Sequence, residues 1–234
     1  MQTDSILECT HLSKNFSMKK ALVDVNLTIG RGRIVGLLGP NGSGKTTLIK
    51  LANGLLTPTS GEIRVCGRAP SPATKALVSY LPERSYLADW MAVSDLLRFF
   101  ADFYADFSVA KADDMLARLS IGRSDRLKTM SKGTKEKVQL ILVMAREARL
   151  YLLDEPIGGV DPATRDYILN TILTNYSENA SLVISTHLIS DVERILDDVI
   201  FIDRGAVVKT GAADDVRAEY GKSIDEVFRE VFRC

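Results

Sequence analysis

The chain carries the stretch Gly39-Pro40-Asn41-Gly42-Ser43-Gly44-Lys45-Thr46, which matches the phosphate-binding pattern G-x-x-x-x-G-K-[ST] at every fixed position. An apolar run at 34–38 predicts a buried strand before it, and residues 47–51 predict a helix after it. In that order, glycines let successive backbone N–H groups point at one anion, and the helix N-terminus adds positive potential. The residues from Gly39 to Thr47 are therefore expected to bind a nucleoside triphosphate, with Lys45 on the β- and γ-phosphates and Thr46 on Mg²⁺.

The composition is that of an ordinary globular protein of 234 residues, with 30 Lys and Arg balanced by 30 Asp and Glu. This balance argues against a nucleic-acid binder that relies on bulk positive charge, and no nucleic-acid partner is expected. No apolar stretch approaches the roughly 18 residues that span a bilayer. The first residues lack the pattern of a signal peptide. Scattered cysteines at 9, 66 and 234 complete the expectation of a cytosolic protein with reduced thiols.

The order of patterns predicts an α/β fold: a P-loop NTPase core with a mostly parallel sheet, an N-terminal antiparallel β subdomain and a helical insert. We expect one domain over residues 1–234, in which 1–87 and 149–234 form the core with its β subdomain and 88–148 form the helical subdomain. Strict alternation predicts a half-buried strand whose inner face is Val23, Val25, Leu27 and Ile29. Three- and four-residue spacing predicts one apolar helical stripe of Leu96, Phe99, Phe100, Phe103 and Phe107.

Further strands are expected at 61–67, 151–153, 182–185, 199–202 and 206–209. Asp161-Pro162 predicts a helix start, with a capping carboxylate and a proline at the first helical position. Near the end of the chain, an amphipathic helix would place Ile224, Val227, Phe228, Val231 and Phe232 on one face. The pattern leaves open whether this face packs on the core or serves a partner.

Two adjacent carboxylates, Asp154 and Glu155, end the apolar run 150–153. A buried strand brings such a residue to the carboxyl edge of the sheet, where ligands collect in α/β folds. At that edge Asp154 would bind Mg²⁺, directly or through water. Glu155 would polarise an attacking water. Two solvated acids at a strand end are the alternative, and the phosphate loop makes the functional interpretation the stronger one.

The ordered set of phosphate loop, helical insert, Ser131-Lys132-Gly133, Asp154-Glu155-Pro156, Asp161 and Ser185-Thr186-His187 resembles the ATP-binding-cassette ATPases. The resemblance runs from Leu7 to about Gly211. It implies an ATPase that uses ATP and Mg²⁺ and forms a head-to-tail dimer with a second copy or a homologous ATPase. Each ATP would lie between one chain's phosphate loop and the other chain's signature motif, which supplies Ser131 and Gly133.

The same resemblance implies roles for individual residues. Phe16 would stack on adenine, although an ordinary core phenylalanine is the alternative. Glu155 would orient and deprotonate water, and His187 would contact the γ-phosphate. Asp161 lies where the family makes contacts across the dimer, besides capping its own helix.

Two departures from the family pattern stand out. The signature Leu-Ser-Gly-Gly-Gln appears as residues 130–134, Met-Ser-Lys-Gly-Thr, so Lys132 adds a Cβ and a charge where the family has glycine. Lys132 is either solvated or makes a phosphate or partner contact. The family's glutamine after the third core strand appears as Glu83, which can still approach Mg²⁺ but adds negative charge. Both departures resemble variants in the exporter branch that handles drugs, bacteriocin peptides and self-immunity.

ATP hydrolysis must drive another process, and three candidates stay open. The first is the ATPase subunit of a transporter, peripheral on the inner face of the membrane, whose aromatic insert offers a groove to a membrane subunit. The short segment after residue 205 has no room for a regulatory domain, which favours export. A soluble ATPase that remodels a macromolecular complex is the second candidate. The third is an ATP-gated module that anchors membrane partners without transport.

Overall fold

The computed structural model describes residues 5–177 and 179–232, which form nine strands and nine α-helices. The strands are β1 (Ser5–Phe16), β2 (Lys19–Gly30), β3 (Ile34–Leu38), β4 (Ser60–Val65), β5 (Val78–Leu81), β6 (Leu150–Asp154), β7 (Ser181–Thr186), β8 (Asp198–Asp203) and β9 (Ala206–Ala212). The helices are α1 (Lys45–Ala52), α2 (Pro72–Lys75), α3 (Val93–Phe103), α4 (Val109–Arg118), α5 (Lys132–Met144), α6 (Pro162–Asn175), α7 (Ile189–Val192), α8 (Ala213–Tyr220) and α9 (Ile224–Val231). Within these described residues, no helix combines the length and apolarity that crossing a membrane requires.

Six strands form the central sheet in the order β5-β6-β7-β3-β8-β9. All neighbours in it are parallel except β8 and β9, which are antiparallel. β3 lies between β7 and β8 and buries all five of its residues, as expected for a parallel strand covered on both faces. The predicted α/β fold with a mostly parallel sheet is confirmed.

A second sheet, antiparallel and ordered β2-β1-β4, confirms the predicted N-terminal β subdomain. The alternation along β6 shows how the two layers meet the central sheet. Leu152 packs in one apolar cluster with α1 and the antiparallel sheet, whereas Tyr151 and Leu153 pack in the other cluster with the helices. Because side chains alternate along a strand, one strand supplies both cores.

One face of β2 departs from the predicted alternation. Val25, Leu27 and Ile29 are buried as expected, but Val23 is exposed and Leu22 is buried in its place. Asp24 has φ +48°, and the register to β1 is irregular between Leu12 and Lys14. A bulge of this kind adds a residue to the strand and switches the side chains beyond it to the opposite face.

The segment 88–148 holds α3, α4, a 3₁₀ turn at Leu127–Thr129 and α5, so its helical character is confirmed. The prediction of one apolar stripe along α3 is wrong in part. Leu96 and Phe100 are buried and Phe107 is partly buried, whereas Phe99 and Phe103 are exposed. The buried face of α3 turns toward Val93 and Leu97. The rings of Phe99 and Phe103 lie beside that face and pack on each other, with centroids 4.5 Å apart.

The amphipathic helix near the end of the chain is α9, and it packs on the core. Ile224 and Val227 are fully buried, and the Phe228 ring meets Phe201 of β8 edge-to-face at 5.8 Å. Val231 is the member of the predicted face that remains exposed. The core therefore covers most of the surface that the sequence left open to a partner.

The buried guanidinium of Arg146 joins the helical segment to the central sheet. Its Nε and Nη2 atoms donate to both carboxylate oxygens of Asp106, each at 3.0 Å. The same group donates to the backbone carbonyls of Val78 and Ala76 and lies 3.8 Å from the centroid of the Tyr104 ring. An arginine serves here because its planar fork satisfies several acceptors at once.

We expect Arg146→Met to lower the free energy of unfolding by about 3–5 kcal/mol, because it leaves the carboxylate and buried carbonyls without their donor. Urea denaturation of purified protein measures the change. The control is Arg118→Met, which breaks the exposed ion pair between Arg118 and Asp114 and is expected to cost less than about 1 kcal/mol. Equal effects of the two substitutions would show that Arg146 does not stabilise this junction.

Candidate functional site

The loop between β3 and α1 requires glycine at two positions. A Cβ on Gly39 would lie 2.3 Å from the carbonyl oxygen of Ile202, closer than any side chain tolerates. Gly44 has φ +115°, and its Cβ would lie 2.7 Å from the carbonyl oxygen of Ala21. The predicted strand, loop and helix are confirmed, and the backbone follows a path that only glycine permits at these points.

The N-terminus of α1 lacks the side-chain cap that five other helices have. Gly44 precedes α1, no side chain caps it, and no acidic residue lies in its first turn. In contrast, Ser131 caps α5 and Asp161 caps α6, each by accepting a hydrogen bond from a backbone N–H group. The first N–H groups of α1 therefore have no side-chain acceptor, and the helix dipole makes this end attractive to an anion.

The ammonium group of Lys45 lies folded against this loop. Its Nζ donates to the carbonyl oxygens of Gly39 at 2.6 Å and Pro40 at 3.2 Å, and lies 3.5 Å from Glu155 Oε1. Burial lowers the pKa of Lys45, and the carboxylate of Glu155 opposes that shift. A partly desolvated cation held beside a set of N–H groups is a strong site for phosphate.

Asp154 ends β6 with its carboxylate buried. Its Oδ1 accepts hydrogen bonds from Ser185 Oγ at 2.6 Å and Thr46 Oγ1 at 3.1 Å. Burial raises the pKa of Asp154, and these two hydrogen bonds oppose the rise. The strand thus brings a carboxylate within reach of the Thr46 hydroxyl, as predicted from the two motifs.

Glu155 follows in a strained backbone conformation, with φ +51°. Its backbone N–H donates to the carbonyl oxygen of Ser185 at 3.0 Å, which anchors the turn. Its carboxylate accepts from His187 Nδ1 at 3.1 Å, so this ring nitrogen carries the hydrogen. A left-handed conformation in a residue other than glycine costs free energy and concentrates at functional sites. The result is a row of three contacting side chains: Lys45, Glu155 and His187.

A cavity of about 770 Å³ brings most of the predicted site together, a size ordinary for a cofactor site. The predicted residues that line it are Phe16, Asn41, Gly42, Ser43, Gly44, Lys45, Thr46, Thr47, Glu83, Glu155 and His187. Gly39 and Pro40 contribute through their carbonyls, as described above. Asp154 lines a smaller adjacent cavity. Ser131, Gly133 and Asp161 do not line the large cavity of their own chain.

The large cavity also has walls that the sequence motifs missed, formed by Lys19, Ala21, Arg84, Ser85, Lys135, Glu136, Gly158 and Gly159. Arg84 and Ser85 directly follow Glu83, and Gly158 and Gly159 follow Glu155 closely, so proximity to the motifs was the available signal. Lys132, which the sequence analysis left undecided, lines the cavity too. It is highly exposed, and its Nζ lies 3.7 Å from Glu136.

Three buried side-chain polar atoms have no hydrogen-bond partner among the described residues: Ser43 Oγ, Asp154 Oδ2 and Gln139 Oε1. Ser43 lies in the phosphate loop, Asp154 ends β6, and Gln139 lies on α5. Buried polar atoms are nearly always paired. Ser43 lines the large cavity, and Asp154 and Gln139 line the smaller one. These three atoms are therefore free to form hydrogen bonds with a bound ligand or water.

Comparison with known proteins places this geometry in a family. A protein-family model described as "ABC transporter" matches residues 22–158. The chain is 31% identical over 220 residues to the ABC transporter ATP-binding protein YtrB of Bacillus subtilis (strain 168), covering 93% of this chain and 75% of the relative. It is 28% identical to the daunorubicin resistance ATP-binding protein DrrA3 of Streptomyces coeruleorubidus, covering 97% and 75% of the two chains. A solved structure of an ATP-binding subunit of an ABC transporter superposes with a TM-score of 0.87 at 30% identity, covering 98% and 100% of the two chains.

We expect Asp154→Asn to raise the free energy of unfolding of ligand-free protein by roughly 0.5–2 kcal/mol, because a buried charge is replaced by a neutral group of similar shape. The pKa of Asp154 is raised in the folded protein, so the ionised carboxylate lowers the free energy of unfolding increasingly as the pH rises above the ordinary pKa of an aspartate. Chemical denaturation in EDTA at pH 7 measures the gain, which should vanish below about pH 4. A variant less stable than wild type at pH 7 would contradict the prediction.

Proposed function

This chain belongs to the ABC transporter family as an ATP-binding subunit with ATPase activity, and from that premise we propose that it powers export through separate membrane subunits. The observation that carries the proposal is the N-terminus of α1, which has no side-chain cap and begins with Lys45, whose ammonium group lies 3.5 Å from Glu155 Oε1. The phosphates of ATP would bring negative charge to this helix N-terminus and to Lys45. The carboxylates of Asp154 and Glu155 would hold Mg²⁺ and activate the attacking water.

The phosphates would bind residues 39–47 and replace the carbonyl contacts of Lys45 with phosphate oxygens. The unpartnered hydroxyl of Ser43 supplies one more donor for them. Phe16 supports the adenine end of the site, since its ring is 44% exposed at the wall of the same cavity. An ordinary core phenylalanine would be covered, so the exposure favours a stacking role for this side chain.

The residues around Asp154 fit a magnesium ion that arrives with ATP. Within the described chain, no cluster of three or more His, Cys, Asp or Glu side chains can hold a metal by itself. Mg²⁺ characteristically uses one or two carboxylates together with substrate phosphates and water. Thr46, Asp154 and Glu83 would hold it. There Mg²⁺ would neutralise the charge that develops on the phosphates.

Glu155 would take the proton from the attacking water, because its carboxylate is held by two neighbours and lies beside the phosphate loop. His187 would keep that carboxylate oriented and would contact the γ-phosphate through its other ring nitrogen. Lys45 would leave Glu155 when it engages phosphate. This exchange would free the Glu155 carboxylate to face the attacking water once ATP is bound.

The second half of the site would come from a second copy of this chain or a homologous ATPase. Ser131 and Gly133 lie at the exposed start of α5, and a Cβ on Gly133 would meet nothing within 4 Å. No packing inside the chain therefore demands glycine there, although glycine weakens a helix. A partner's phosphate approaching the α5 backbone explains this residue. Asp161, which also lies outside its own cavity, would contact the partner.

A groove beside α1 suits a membrane subunit. This α1–α3 groove has a volume of about 470 Å³ and lies between α1, β5 and α3. Aromatic residues line it, namely Tyr80, Tyr86, Phe100 and Tyr104, and so do Lys50, Lys75 and Arg84. No acidic residue of the described chain lines it. The occupant that fits is a cytoplasmic helix of the membrane subunit, with apolar side chains for the rings and carboxylates for the basic rim.

Export and a position on the inner face of the membrane follow from the same proposal. The similarity to a daunorubicin resistance protein and the variant residues Lys132 and Glu83 support export. In this arrangement residues 88–148 form the helical subdomain and the remaining residues of the domain form the core. Substrate choice would belong to the membrane subunits, because the cavities described here serve ATP and the coupling helix.

We expect Glu155→Gln to bind ATP normally and to hydrolyse it roughly 10²- to 10⁴-fold more slowly, since it loses the proton acceptor for water. Steady-state phosphate release and equilibrium binding of a fluorescent ATP analogue measure the two properties. Lys45→Ala serves as the contrasting variant, because it should lose binding itself. Normal turnover by Glu155→Gln would exclude Glu155 as the base.

We expect the Glu155→Gln chain with Mg·ATP to capture a multi-span protein from its native membranes, and Lys75→Glu added to it to reduce capture about tenfold. A like-charge contact of about 1.4 kcal/mol is enough for that factor. Lys222→Glu, which changes the same charge at another exposed lysine of the chain, is the control. Equal capture by both variants would exclude the α1–α3 groove. Recovery of ribosomes, nucleic acid or only soluble partners would favour a remodelling ATPase.

A further inference from the structure

A small polar cavity lies next to the proposed ATP site and belongs to no motif of the family. It has a volume of about 40 Å³, and its walls include Asp154 of β6, Gln139 of α5 and the carboxylates of Glu83, Glu136 and Glu155. Two of the three unpartnered buried polar atoms, Gln139 Oε1 and Asp154 Oδ2, belong to its walls. Two acceptors without a donor in one cavity call for a bound donor.

The orientation of the Gln139 amide follows from its other neighbour. Its Nε2 faces the carbonyl oxygen of Pro82 at 3.4 Å. Since a carbonyl only accepts hydrogen bonds, the nitrogen must face it, and Oε1 is left as the unpaired atom. Gln139 is 3% exposed, so bulk water does not solvate this oxygen. The amide thereby connects α5 to the segment that leads into Glu83.

Asp154 presents the matching acceptor. Its Oδ1 already accepts hydrogen bonds from Ser185 and Thr46, and the residue is 1% exposed. A single water molecule has two hydrogens, one for each unpaired oxygen. A water molecule needs a cavity of about 10–15 Å³ and two or more polar partners, and this cavity meets both requirements.

We propose that one water molecule bound in this cavity donates to Gln139 Oε1 and to Asp154 Oδ2, and that Gln139 is thereby a positioning residue for the magnesium-binding carboxylate. The inference rests on the proposed magnesium site. Gln139 acts through the water and touches neither ATP nor the metal. Residues that orient a metal-binding carboxylate in this way typically change metal affinity 10- to 100-fold when replaced.

The water bridge would also connect the two ATP sites of the proposed dimer. α5 starts at Lys132, beside the residues proposed to meet the partner's ATP, and Gln139 lies two turns further along the same helix. A rigid helix that shifts when the partner binds would move the Gln139 oxygen relative to Asp154. The water contact therefore transmits occupancy of one ATP site to the magnesium carboxylate of the other.

The test is a Mg²⁺ titration of fluorescent ATP analogue binding to the full chain carrying Gln139→Met, which keeps the length of the side chain and removes its oxygen. We expect Mg²⁺ affinity to fall about tenfold while analogue binding in EDTA stays unchanged. Ser79→Ala is the control, because it removes another buried hydrogen bond between the sheet and α5, from Ser79 Oγ to the Val143 carbonyl, without touching the cavity. Its Mg²⁺ affinity should equal that of wild type.

Thermal unfolding of the same variants provides a second criterion. If the cavity is dry, Gln139→Met removes an unsatisfied polar atom and raises the unfolding temperature. If water bridges the two oxygens, Gln139→Met breaks the hydrogen bonds of that water and does not raise the unfolding temperature. Unchanged Mg²⁺ affinity in folded Gln139→Met, or a raised unfolding temperature, overturns the inference. Wild-type binding that ignores Mg²⁺ would instead contradict the magnesium site itself.

Discussion

The burial of opposite charges at the carboxyl edge of the parallel sheet is the constraint on which the rest of this structure depends. Lys45 and Asp154 are each about 95% or more buried, and burying an ion costs several kcal/mol unless partners compensate. The loop carbonyls, Glu155, Thr46 and Ser185 provide those partners. These partners lie on or next to β3, α1, β6 and β7. The four elements must therefore keep their relative positions for the partners to offset the cost of burying the two charges.

This arrangement explains why the sequence predicted the centre of the molecule well. Motifs at 39–46 and 150–155 contain glycines and charges that are costly elsewhere, and they specify one strand–loop–helix geometry. The runs 34–38 and 182–184 contain no polar side chain, so their burial was predictable without knowledge of their neighbours. Phe16, Glu83 and His187 reach the same cavity, although the sequence alone could assign them only through the family resemblance.

The features that pattern alone missed depend on three-dimensional context. The bulge at Asp24 needs a partner strand, because its cause is the mismatch between β1 and β2, and no periodicity within β2 reveals it. The exposure of Phe99 depends on which direction α3 faces. Gln139 sits within an apolar helix stretch where a polar residue suggests nothing about function. Its unpaired oxygen becomes visible only when β6 and α5 are placed together.

The same energetics explain why one chain has an incomplete site. A pocket with an uncapped helix, a buried cation and an unpaired Ser43 hydroxyl is costly for the chain alone, and ATP with Mg²⁺ would relieve these costs. Such a site lowers the free energy of unfolding of the empty chain, and relief of that destabilisation by a ligand contributes to the free energy of binding. Ser131 and Asp161 already cap helices in their own chain, so meeting a partner's nucleotide requires little reorganisation of either helix start. In the proposed dimer, the nucleotide would drive closure, and loss of the γ-phosphate after hydrolysis would remove a contact between the two chains.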